Sequence, residues 1–166
     1  MTLATSIEDA VWAALDGVPD PEIPAVSVVE MGMIKEVETG PGGTRVVVLP
    51  TFTGCPAIDV IKEDVARAVE TVEGAAPVTV ETSFSPAWTT ERITETGRRK
   101  LKEFGLAPPT GKGPVLITEI GLPQVAVCPF CGSRNTRNES LFGPTPCRAV
   151  YYCAECRNPF EQFKQV

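Results

Sequence analysis

Thr51-Phe52-Thr53-Gly54-Cys55-Pro56 marks the point where a strand runs out and a helix begins. Upstream, Arg45-Val46-Val47-Val48-Leu49 has the β-branched character of a buried strand; downstream, Ile58, Ile61, Val65, Ala68, Val69 and Val72 recur at helical spacing. Pro56 fits the first helical position, where its missing N–H would go unpaired in any case, and this places Cys55 at the cap. A thiol there faces free backbone N–H groups and the positive end of the helix dipole, and both favour thiolate. Cys55 is therefore a candidate nucleophile or soft metal ligand. The alternative is a small buried side chain, as free cysteine often is.

Outward from this junction the chain reads as α/β. Ser6 caps a first helix with Asp9 as reciprocal partner, Ile7, Val11, Ala14 and Leu15 form its apolar face, and Gly17 ends it. Val18-Pro19-Asp20-Pro21-Glu22-Ile23-Pro24 follows as a stiff loop with two carboxylates, Asp20 and Glu22; a plain turn with solvated acids is the other reading. Ala25 to Glu38 is expected as a strand, Gly40-Pro41-Gly42-Gly43 as a turn, and Thr44 to Thr51 as the antiparallel return. The helix after Cys55 should run to about Glu73, and Val78 to Phe84 should form a third strand, giving a crossover. A third helix is expected from Thr89/Thr90 to Gly105. Cys55, the acidic loop and Trp88 could meet at one end of this small mixed sheet.

Composition narrows the function. The 166 residues are 43% apolar and 22% charged, enough to bury a core, and the net charge of −6 argues against a nucleic-acid partner. No apolar run approaches the roughly 20 residues of a membrane span, and the first 25 residues carry Glu8, Asp9, Asp16, Asp20 and Glu22, so a cytoplasmic protein without a membrane partner is expected. Histidine is absent, which excludes Ser-His-Asp or Cys-His catalysis within the chain. Any metal must then rely on cysteine, carboxylate or carbonyl ligands.

Four of the six cysteines form two pairs, Cys128-Pro129-Phe130-Cys131 and Cys153-Ala154-Glu155-Cys156. Two such knuckles close one tetrahedral Cys₄ site, expected to hold structural zinc, with strands over Thr136–Phe142, Ala149–Tyr152 and Phe160–Phe163. A module of this size has too little core to fold alone, so the metal supplies much of its folding free energy. A rubredoxin-like iron, an iron–sulfur cluster and a redox dithiol are rival readings; the paired, strand-rich context disfavours the dithiol. Cys147 is a packing residue or a spare ligand. From Glu119 onward five Lys and Arg face four Glu, a balance of +1 that four thiolates on one Zn²⁺ turn to −1, poor for phosphate binding. The expected boundaries are a domain at 1–106, a Pro/Gly-rich linker at 107–126 with a possible edge strand over Val115–Ile120, and a Cys₄ zinc ribbon at 127–166.

Asp20-Pro21-Glu22-Ile23-Pro24, Ser27 to Ile34, Thr53-Gly54-Cys55-Pro56 and Ser83 to Trp88 with Gly97-Arg98 resemble the MIP18 (DUF59) family of iron–sulfur assembly factors. Leu106-Ala107-Pro108-Pro109 and the ribbon with Phe142-Gly143 and Cys147 resemble the branch found as D-type (or J-type) subunits of bacterial phenylacetyl-CoA 1,2-epoxidase systems in phenylacetate degradation. The resemblance implies that Cys55 is the reactive cysteine and Asp20/Glu22 the acidic motif. It implies a non-catalytic accessory subunit that assists iron–sulfur cluster assembly or maintenance in the reductase component, with a transient iron or iron–sulfur cluster at Cys55. Its partners would be the epoxidase subunits, the reductase above all, and the iron–sulfur assembly machinery. Two other readings are a zinc-ribbon scaffold for the oxygenase complex and a Cys-dependent acyl-CoA enzyme, the latter disfavoured because no histidine can activate Cys55.

Overall fold

The computed structural model describes residues 6–109 and 125–164. Two compact units are present, Met1–Trp88 and Thr89–Val166.

The first unit opens with α1 (Ile7–Asp16), whose start is the expected capping box: Ser6 Oγ accepts from the Asp9 N–H at 3.1 Å and Asp9 Oδ2 accepts from the Ser6 N–H at 3.2 Å. β1 (Ile34–Gly40) and β2 (Gly43–Val48) form an antiparallel hairpin. After α2 (Ile58–Glu70), β3 (Val78–Thr82) pairs parallel to β2, with Val48 opposite Thr82, so the strand order is β1-β2-β3 and the crossover is as expected. α2 turns Ile61, Val65 and Val69 inward, α1 adds Val11 and Leu15, and both helices lie against the sheet. Burying each of these side chains contributes about 1.5–3 kcal/mol. Gly43 is required at the hairpin's close: its φ is +110°, and a Cβ there would collide with the Pro77 carbonyl oxygen, which instead accepts from the Thr44 N–H at 2.9 Å.

Three expectations are corrected here. Residues 25–33 form turns and not a strand, because Ser27 and Glu30 bond each other's backbone and Gly32 takes a φ of +65°. α2 begins at Ile58 with Ala57 as its N-cap, so Cys55 is not the cap; the residue before a proline is steered away from helical geometry, which delays the helix. Its C-terminal end at Glu70 likewise falls short of Glu73.

In the second unit the expected helix from Thr89/Thr90 is split into a 3₁₀ turn (Thr90–Arg92) and α3 (Glu95–Glu103), because Thr94 Oγ1 accepts from the Gly97 N–H at 3.0 Å and caps a new start. Arg98 donates to the Thr90 carbonyl at 2.6 Å and the Pro109 carbonyl at 3.2 Å. β4 (Leu106–Ala107), β5 (Thr136–Ser140), β6 (Arg148–Cys153) and β7 (Pro159–Phe163) form a sheet in the order β4-β7-β6-β5, with β4 parallel to β7 and the other pairs antiparallel. Ala107, Ala126, Cys128, Ala149, Tyr151, Cys153 and Phe160 make its core. Ala107, expected to open a linker, is thus a strand residue, and the expected edge strand at Val115–Ile120 lies outside the described residues.

Candidate functional site

The two Cys-x-x-Cys segments fold into the same turn twice. In the first, the Gly132 N–H donates to the Cys128 carbonyl and the Cys128 N–H to the Ser133 carbonyl, both at 2.9 Å. In the second, the Arg157 N–H donates to the Cys153 carbonyl at 2.9 Å and the Cys153 N–H to the Asn158 carbonyl at 3.0 Å. The residue after each pair is left-handed: Gly132 at a φ of +76°, and Arg157 at +60°, the one non-glycine residue with positive φ among those described. One knuckle follows Ala126 and the other ends β6, so the β5–β6 hairpin carries them to each other.

The result is a cage. The Sγ atoms of Cys128, Cys131, Cys153 and Cys156 all lie within 4.8 Å of one another. Cys128 and Cys156 are 3.7 Å apart and Cys131 and Cys153 3.6 Å, too far for a disulfide. These separations match the edge of about 3.8 Å that a tetrahedron with 2.3 Å Zn–S bonds requires. The space suits one ion, whereas a cluster spreads its cysteines over more than one iron. The backbone of Asn158 has the largest influence on Cys156 and, with its side chain, Cys153 and Cys128, draws the Cys156 thiol down to about 6 against desolvation. At Cys131 the backbone of Ser133 favours the thiolate, yet desolvation and the hydrogen bonds with Cys153, Cys156 and Cys128 together prevail and push the thiol up to about 12. Cys131 and Cys156 are thus pushed in opposite directions within one group of neighbouring thiols. Cys147 lies outside this group, half-buried, with its sulfur 3.1 Å from Thr145 Oγ1.

Cys55 sits in the first unit, half-buried, on the loop between β2 and α2. Its N–H donates to the Phe52 carbonyl at 3.0 Å and its carbonyl accepts from the Ile58 N–H at 3.4 Å, so the thiol stands on a tight turn ahead of the helix. Because β2 and β3 are parallel, the loop carrying Cys55 and the segment carrying Trp88 leave the same end of the sheet. Trp88 is buried there, its Nε1–H donating to the Met31 carbonyl at 2.8 Å, and the Met33 carbonyl accepts from the Leu49 N–H at 2.7 Å. Asp20, by contrast, is turned inward: only 8% exposed, its Oδ1 accepts from the backbone N–H groups of Glu22 at 2.8 Å and Ile23 at 2.9 Å. It shapes its own loop as an Asx turn. Glu22 is half-buried on that loop.

Two residues that hold this end together escaped the sequence reading. Ser27 donates its N–H to Glu30 Oε2 at 2.9 Å, and its Oγ accepts from the Glu30 N–H at 3.0 Å while donating to Asp16 at 3.1 Å. The signal was present, since Ser27-x-x-Glu30 has the capping-box spacing of Ser6-x-x-Asp9; the apolar residues between them suggested a strand instead.

Known proteins resemble both units. Residues 8–82 match the family described as iron–sulfur cluster assembly protein, and residues 113–164 match the PaaD zinc beta ribbon domain. A DUF59 domain from Bacillus anthracis covers 57% of this chain and 91% of its own at 27% identity with a TM-score of 0.54. A conserved hypothetical protein from Thermotoga maritima covers 61% and 98% at 29% identity with a TM-score of 0.50. A relative in Escherichia coli (strain K12), provisionally named as the D-type subunit of a 1,2-phenylacetyl-CoA epoxidase, is 37% identical over 165 residues, spanning 99% of this chain and 97% of the relative. With an iron–sulfur assembly segment ahead of a zinc β-ribbon segment in this chain, and that identity over nearly the full length of both chains, this protein belongs to the family of D-type phenylacetyl-CoA epoxidase subunits.

Proposed function

We propose that the chain is a non-catalytic accessory subunit of a phenylacetyl-CoA epoxidase system, and that it helps assemble or maintain the iron–sulfur cluster of the reductase component. Cys55 is the transient ligand for the iron or cluster being handled. The Asp20/Glu22 motif supports that site, Asp20 through the loop it holds. Cys128, Cys131, Cys153 and Cys156 bind structural zinc, which locks the two knuckles at the base of the β5–β6 hairpin. One observation carries the reading: within the segment that matches the iron–sulfur assembly family, a half-buried thiol stands on a tight loop at the open end of the sheet, in a chain with no histidine to turn it into an enzyme nucleophile. A thiolate on such a turn can take up a soft metal centre and release it, whereas the paired knuckles close around theirs and retain it.

The test is cluster content in the reductase component, produced with wild-type protein, with Cys55→Ala or with neither, and read as iron, acid-labile sulfide and visible absorbance. Cys55→Ala should leave the reductase as cluster-poor as omission does. Equal restoration by the variant would refute the role of Cys55. A scaffold role for the ribbon draws support from the four-thiol cage and is separable: it predicts that binding to the other subunits survives Cys55→Ala and fails when zinc is removed.

A further inference from the structure

We propose that the end of the first sheet around Cys55 is a docking surface for a protein whose apolar face is ringed by lysine and arginine. The inference deepens the reading above and rests on it for the identity of the partner. Phe52, Phe84 and Val60 are large apolar side chains left 45%, 57% and 46% exposed. Phe52 and Phe84 share one end of the sheet. Continuing the parallel register from Val48 opposite Thr82, with the Ser83 N–H donating to the Val48 carbonyl at 2.9 Å, sets Phe84 across from Pro50, two residues before Phe52. Phe52 folds back over the loop, its ring 3.7 Å from where a Cβ on Gly54 would stand, and its carbonyl takes the Cys55 N–H. Val60 follows in the first turn of α2.

The charge pattern makes this more than a scatter of exposed hydrophobics. In Met1–Trp88 four Lys and Arg (Lys35, Arg45, Lys62, Arg67) face fourteen Asp and Glu, a balance of −10. Yet from Pro50 to Ile61 the only Asp, Glu, Lys or Arg is Asp59, and from Thr82 to Thr90 there is none. In space the charges that border the rings are Asp59 and Lys35, whose Nζ donates to the Ser85 carbonyl at 2.9 Å. An aromatic centre with so few charges in a strongly acidic body has the anatomy of a protein interface, where charge is depleted at the core and aromatics supply the anchors. The surrounding field attracts a basic partner and repels an acidic one, so it steers the encounter while Phe52 and Phe84 hold the complex. Seated this way, the partner would cover Cys55 and exclude water from the thiol during transfer.

The experiment compares the full chain with a Phe52→Ser/Phe84→Ser double variant that keeps Cys55, by calorimetric titration against the purified reductase component and, separately, the purified oxygenase subunits. Wild type should bind the reductase, and more weakly as salt rises from about 50 to 500 mM. The double variant should lose about tenfold or more in affinity with its zinc content and melting temperature unchanged, since both rings are exposed. Unaltered binding by the double variant, salt-independent binding, or no binding of wild type to the reductase would overturn the proposal. So would sedimentation showing that this face joins two copies of the chain. If Cys55→Ala still restores reductase clusters while the double variant loses binding, the docking surface stands and the role given to Cys55 falls.

Discussion

Cys55-Pro56 and Cys128-Pro129 begin alike and end differently. After Cys128 the chain curls tightly enough for the Gly132 N–H to reach the Cys128 carbonyl at 2.9 Å, which swings Cys131 back beside Cys128 and toward the second knuckle. After Cys55 the turn closes one residue sooner but with a longer bond, the Ile58 N–H donating to the Cys55 carbonyl at 3.4 Å, and the chain continues into α2. One thiol ends among three others; the second stands half-buried on a turn, outside that group. A cysteine's chemistry is thus decided by the four residues that follow it. A left-handed residue such as Gly132 closes a knuckle, whereas an apolar residue in helical phase with a buried stripe launches a helix.

The largest effect that would break this contrast comes from Cys153→Ser. With the zinc site proposed above, removing one buried thiol of the four should abolish stoichiometric zinc and unfold the ribbon sheet, since structural zinc contributes on the order of 10 kcal/mol to such modules; elemental analysis and near-ultraviolet circular dichroism read both. Gly43→Ala attacks the first sheet instead, at the end of β2 remote from the Cys55 loop. Its left-handed φ and the Pro77 carbonyl in its path should cost about 2–4 kcal/mol in denaturant melts, with one zinc per chain retained. Ser27→Ala removes a reciprocal cap and should cost about 1 kcal/mol, read as a lower urea midpoint. Smallest, and opposite in sign, is Arg157→Gly. It gives the second knuckle the residue that the first already has at this position, and should stabilise the zinc-bound protein by about 0.5–1 kcal/mol, seen as a raised melting temperature. An unchanged melting temperature would mean that Arg157 gains from its surroundings what its backbone loses.

Much of this was legible in the residues. The α1 cap, the hairpin closed at Gly43, the crossover through α2 and the paired knuckles all follow from local signals that agree with the fold: period, capping spacing, glycine, proline. Where reading failed, two local signals competed. Val26-Ser27-Val28-Val29 looks like a strand by composition, but Ser27 and Glu30 offered the backbone a closer set of partners. Pro56 marked a helix start correctly within two residues, yet the restriction it places on Cys55 pushed the start onward to Ile58. The same competition divided the third helix, where Thr94 prevailed over Thr89 and Thr90 as a cap. Asp20 showed a different gap: its sequence announces a carboxylate in a stiff loop, and only the hydrogen bonds from Glu22 and Ile23 show that it faces inward.

The parallel pairing of β2 with β3 also bears on how this family can diversify. Register is fixed upstream by Val46 and Val48 against Val80 and Thr82, and downstream by the stripe of Ile61, Val65 and Val69. Between these anchors Thr53 is exposed and Thr51 half-buried, so substitutions there can reshape the surface of the loop that carries Cys55 without disturbing the core. The loop is thus a place where sequence can change while the rest of the fold stays as it was.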